Sequence, residues 1–238
     1  MASSKTDIAT SMAPTAGPET LPTRWDRLLV YREWSSTPGR VSLIWCLAGF
    51  VFFTALWAAG QRSAGGVLAE IGVWLCVSLL VPRVLAAPFR VEKYIGTVLG
   101  LSLLEEALAY STGGGLHGAA TSLPEDWVRS VPTFVGLGIG LLVAVRRWGL
   151  SPGESFTAAA AAGIVIEVGL GAGFNPIVLV VLGGAVAWVY GTILALPIAR
   201  QRAPAAPWIR ATGTTSLLIV GALVGGFVGL VLQSLLHL

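Results

Sequence analysis

Seven apolar stretches of about twenty residues, nearly free of charge, recur along this chain at 41–60, 66–86, 94–111, 128–146, 154–173, 176–197 and 213–236. An α-helix needs roughly 20 apolar residues to cross the ~30 Å hydrocarbon core of a bilayer. The pattern therefore predicts an all-α, polytopic transmembrane bundle of about seven spans. Composition argues the same way. Only 11% of the 238 residues are charged and 55% are hydrophobic, whereas a soluble domain carries about 25% charged residues. That polar surface is too small for a water-facing globule, which excludes a soluble enzyme, a disordered chain and a collagen-like one. Two Cys and two His exclude a disulfide scaffold and a Cys/His zinc module. The basic residues are dispersed rather than clustered, so the expected partner is the lipid bilayer and not nucleic acid.

Residues 1–22 are polar and read as a disordered cytoplasmic tail. No apolar run of signal-peptide length lies near the start. Residues 23–40 mix Trp25, Leu28, Leu29, Tyr31 and Trp34 with Arg24, Arg27 and Arg32, the mixture of an amphipathic segment lying on the membrane surface. The remainder, 41–238, forms the seven-helix domain. Ser151-Pro152-Gly153-Glu154 has the spacing of a capping box and should open the fifth helix. Ser122-Leu123-Pro124-Glu125 repeats that spacing ahead of the fourth, where Pro132 should kink the helix or restart it. The link around Gly171–Pro176 is so short that spans five and six must form an antiparallel hairpin.

Basic residues set the orientation. Thirteen of the fifteen lie in alternate connections: Lys5, Arg24, Arg27, Arg32 and Arg40; Arg83, Arg90 and Lys93; Arg146 and Arg147; Arg200, Arg202 and Arg210. The positive-inside rule then puts the N-terminus in the cytoplasm and the C-terminus outside, in the cytoplasmic (plasma) membrane. Trp34, Trp45, Trp148 and Trp208 fall near the cytoplasmic interface and Trp57 and Trp127 near the external one, while Trp74 and Trp188 lie deeper, as packing residues. Small residues at four-residue spacing supply close helix contacts: Gly221, Gly225 and Gly229, Gly136 and Gly140, Gly96 and Gly100. They are expected to be seams inside the bundle or between copies of a homo-oligomer.

Carboxylates inside apolar stretches carry the functional signal. Glu105 and Glu106 lie in the third span, Glu167 in the fifth and Glu70 near the start of the second. All four fall towards the external side, where six acids meet only Arg62 and Arg129. A charge at the centre of a bilayer costs ~2.5–3.5 kcal/mol even on a lenient insertion scale, so such residues demand partners, protons or a cation. Tyr110, four residues after Glu106, is placed to donate to it, and Asn175 offers a neutral oxygen near Glu167. Glu125 and Asp126 read as helix N-terminal charges facing water. Together with His117, Glu105, Glu106 and Glu167 make a candidate set of metal ligands for a divalent cation.

The adjacent pair Glu105-Glu106 resembles the paired glutamates of the CAAX-processing and bacteriocin-immunity intramembrane peptidases. That resemblance implies a metal-dependent membrane hydrolase. Tyr110 stands where that family has Arg, and its Phe-x-x-x-His and His-x-x-x-Asn elements have no counterpart among His117 and His237. Read from the residues alone, the acids fit proton- or cation-linked transport better, with the hydrolase and a non-catalytic interaction protein as the alternatives.

Overall fold

The computed structural model describes residues 37–85, 90–112, 122–195 and 207–236. The expected tail, nearly all of the surface segment and His117 with its glycine-rich surroundings lie outside the described residues. Every regular element that is described is helical: α1 (Thr37–Ala58), α2 (Ala64–Leu85), α3 (Val91–Thr112), α4 (Leu123–Trp148), α5 (Pro152–Gly163), α6 (Pro176–Tyr190) and α7 (Pro207–Leu236). α5 runs on into a π-helical stretch, Ile164–Gly171, and α6 into a second, Gly191–Ala195. One helix thus lies on each of the apolar segments. Five are long and apolar enough to cross a membrane: Gly39–Ala58, Leu123–Trp148, Gly153–Gly171, Pro176–Leu194 and Trp208–Leu236. The apolar part of α2, Ala64–Leu80, is shorter, and α3 carries Glu92, Lys93, Glu105 and Glu106 along its length.

The helix starts follow local chemistry. Ser151 Oγ accepts from the Glu154 amide at 3.2 Å and Glu154 Oε2 accepts from the Ser151 amide at 2.8 Å, a complete capping box. Ser122 caps α4 through the Glu125 amide at 3.4 Å, but the Glu125 carboxylate turns towards Gln233 of α7 (3.5 Å) instead of closing the box. Asn175 caps α6, its Oδ1 accepting from the amides of Ile177 and Val178. Between α5 and α6 the chain reverses through Gly173 (φ 61°) and Phe174 (φ 55°). The left-handed conformation is unusual for a bulky residue; here the Phe174 amide is fixed on Val168 O at 2.9 Å and its ring covers Gly169, where a methyl group would collide with it.

The most extensive contact in the bundle joins α4 to α7, and it is made backbone to backbone. A methyl group at Gly136 would overlap the Gly221 carbonyl, one at Gly140 the Leu217 carbonyl, and one at Gly225 the Pro132 carbonyl. The two expected ridges therefore face each other within one chain. α4 passes through Pro132 as a single helix. Proline has no amide hydrogen, so the carbonyl of Val128 loses its usual donor one turn earlier. A Cβ at Gly229 would come 2.9 Å from the carbonyl oxygens of both Val128 and Arg129. The third ridge differs: nothing approaches within 4 Å of a Cβ built at Gly96 or Gly100, and both glycines are exposed.

Trp45 is engaged with α6. Its ring packs on Gly183 and Gly184 of α6 and its Nε1 donates to Val180 O at 2.7 Å. The two adjacent glycines leave a slot the size of an indole, and this residue of the expected aromatic belt fills it as a packing element. Trp74 and Trp188 are fully buried.

Gly136→Leu should destabilise the fold by at least the ~1–3 kcal/mol typical of overpacking, because the obstacle is backbone. Gly96→Leu should stay within ~0.5 kcal/mol of the parent, as for open surface positions. Unfolding of the two variants in detergent micelles compares them directly.

Candidate functional site

Side-chain hydrogen bonds at two levels tie α3 to α4. At its start, the buried Tyr94 hydroxyl lies 3.0 Å from both Gly138 O of α4 and Leu194 O of the second π-helical stretch. Further along, Trp127 Nε1 of α4 donates to Leu103 O at 3.1 Å. The second bond brings the first turn of α4 against the part of α3 that carries Glu105 and Glu106.

Neighbours on a helix point about 100° apart, yet both glutamates are buried, Glu105 at 8% exposure and Glu106 at 0%. Glu106 shares this buried region with the acids Glu105, Asp126 and Glu167. Ionised carboxylates only accept hydrogen bonds, so these neighbours supply no donor, and among the described residues both Glu106 oxygens are buried without a hydrogen-bond partner. Each of those three neighbouring groups is acidic. Arg62 and Arg129 are exposed. The ion pair of Arg210 with Glu154 (3.2 Å) joins the starts of α7 and α5.

Glu167 sits in the first π-helical stretch, a geometry that recurs at functional sites. Its Oε1 accepts from the Tyr190 hydroxyl at 2.7 Å. Tyr190 is held from two sides. Its ring centroid lies 4.8 Å from that of Phe134, and it lies flat on Gly163, where any Cβ would overlap the ring. Thus α3, α4, α5 and α6 each bring a polar side chain to one buried region.

Several expected site residues stand elsewhere. Tyr110 is 44% exposed and does not donate to Glu106, whose oxygens lack any donor. Asn175 is exposed, and its side-chain oxygen is engaged as the α6 cap; a position just before Pro176 suits a cap better than a ligand. Glu125 and Asp126 do not face water: they are 9% and 5% exposed, because the first turn of α4 is covered by α3 and α7. Glu70 is half-buried and lies 3.4 Å from Thr112 Oγ1. Among the described residues no three His, Cys, Asp or Glu side chains converge so as to hold a metal ion.

Asp126, Tyr190 and Gly163 were not singled out from sequence as members of the site. Tyr190 carried one usable signal, as a hydroxyl within an otherwise uncharged apolar segment.

No protein-family model matches the chain, and no curated protein or solved structure matches it. What the fold defines is a class: an all-helical integral membrane protein, with five helices long and apolar enough to cross a bilayer.

Tyr190→Phe keeps the ring packing and deletes the bond to Glu167. It should cost about 0.6 kcal/mol, the mean for hydrogen bonds between membrane helices, and no more than ~1.7. A double-mutant cycle with Glu167→Gln, read by unfolding in micelles, should return most of that as coupling between the two residues. Zero coupling would remove the bond from this account.

Proposed function

We propose that the chain is a seven-pass membrane protein, with the start of α1 on the cytoplasmic side and the end of α7 outside, and that its buried acids serve proton- or cation-linked transport. The observation that carries this reading is Glu106: a carboxyl with no exposure and, among the described residues, no donor for either oxygen, set beside other acids. Negative charge gathered in hydrocarbon is costly unless a proton or cation offsets it. Ionisable groups that face a bundle interior in this way mark ion and proton pathways. The π-helical setting of Glu167 adds support, since a widened turn leaves backbone groups that can rearrange.

The hydrolase reading draws less support. Among the described residues a metal-holding group is missing, Asn175 is a helix cap, and Tyr110 is exposed.

Two measurements test the proposal. A reporter active only outside the cell should be active when fused after Leu238 and silent when fused after Trp148. In vesicles containing the purified full chain, an imposed gradient of protons or sodium should drive ion movement that Glu167→Gln reduces to the level of empty vesicles. Equal flux in the variant would refute the assignment of these acids to transport.

A further inference from the structure

We infer that the corner where α4 ends and α7 begins is a binding site for an anionic phospholipid, whose headgroup phosphate is held between Arg147 and Arg210. The inference stands on the helices that cross the membrane and not on the transport reading.

The glycine seam fixes the geometry. α4 and α7 pack with Gly136 opposite Gly221 and Gly140 opposite Leu217, so each residue further along α4 meets one nearer the start of α7. Continued to the end of α4, this register sets Arg147 level with Arg210. The Trp148 ring, lying on Gly213, holds the two ends together. These are also the ends of two apolar spans, one stopping at Trp148 and the other starting at Trp208. Trp208 is 70% exposed, the setting of a ring at the level of lipid headgroups. Both arginines therefore stand at headgroup depth, at a junction of two membrane helices.

Charge decides what is bound there. Arg147 is exposed and, among the described residues, makes no ion pair. Arg210 gives its Nη2 to Glu154 Oε1 at 3.2 Å, while its buried Nε has no hydrogen-bond partner. A guanidinium carries five N–H donors in a fork that matches phosphate oxygens, so one carboxylate contact leaves most of that fork unused. Glu154 is itself shared, its other oxygen accepting from the Ser151 amide. It is the only acid within residues 145–155 and 207–214, which also hold Arg146. The stretch leading into α7, 196–206, adds Arg200 and Arg202 and no acid.

Basic pockets between membrane helices take anionic headgroups in this way. A zwitterionic lipid brings its own cation with its phosphate and gains less from a surplus of arginine. A free phosphate ion shares the chemistry but has no acyl chain to lie along the apolar flank of α7, where Ile219, Val220 and Leu223 are exposed.

Native mass spectrometry of the full chain, released from micelles containing equal amounts of phosphatidylglycerol and phosphatidylcholine, counts the lipid retained. The parent should keep phosphatidylglycerol in preference. Near a membrane surface each arginine is worth about fivefold in affinity for anionic lipid, so Arg147→Gln should weaken retention by that factor. Arg62→Gln, between α1 and α2, should leave it unchanged. Glu154→Gln can preserve the capping box; it removes the competing carboxylate and should strengthen retention. Arg210→Gln should weaken it, and where that variant does not fold, Arg147→Gln decides alone. Equal retention of the two lipids overturns the inference, as does an equal loss in Arg147→Gln and Arg62→Gln. So does displacement of phosphatidylglycerol by inorganic phosphate, which would assign the site to a free anion.

Discussion

The direct contact of backbone with backbone along α4 and α7 is the constraint on which the rest of this bundle depends. Inside lipid, apolar side chains gain nothing by leaving one apolar environment for another, so helices associate through close van der Waals approach and polar contacts. Gly136, Gly140, Gly221 and Gly225 remove the side chains that would keep the two helices apart. With α4 placed, α3 follows, fastened to it by Tyr94 at one end and by Trp127 further along. The placing of the first turn of α4 against α3 is thus a consequence of glycines further along α4.

That chain of dependence explains how acids come to be buried in a protein with little polar surface. None of the four helices that carry Glu105, Glu106, Asp126, Glu167 and Tyr190 could shelter its own polar group; each does so only against a neighbour. α5 and α6 contribute by a different device from α3 and α4. The absence of a side chain at Gly163 lets the Tyr190 ring lie on α5, which brings its hydroxyl to Glu167. Packing and polar chemistry are therefore not separable here: the small residues decide which carboxylates meet.

Much of the architecture was legible in the sequence for simple reasons. The bilayer fixes the length of an apolar helix, so the seven segments at 41–60 through 213–236 each contain one, and Ser151 with Glu154 announced the start of α5 to the residue. The concentration of acids in the third and fifth segments was equally plain. What escaped was whatever depends on a neighbour. An acid in a first helical turn is ordinarily a solvated charge that complements the helix dipole, and nothing in Asp126 itself says that α3 covers it. Asn175 before a proline serves equally as a cap or an oxygen ligand until the amides of Ile177 and Val178 are seen to occupy it. Tyr110 has the spacing to reach Glu106, but spacing on one helix does not say which residues the adjoining helices cover. The two π-helical stretches have no residue-level signature in this chain.

Pro132 and Gly229 bear on how such a protein can change over time. The ring of one leaves a carbonyl at Val128 without its amide, and the bare α-carbon of the other lies over the place where that oxygen emerges. A side chain at 229 would strike two successive carbonyls, of Val128 and Arg129, whatever stands at 132. Descendants of this sequence should therefore hold the glycine more strictly than the proline, since backbone rather than one missing hydrogen sets the clearance there.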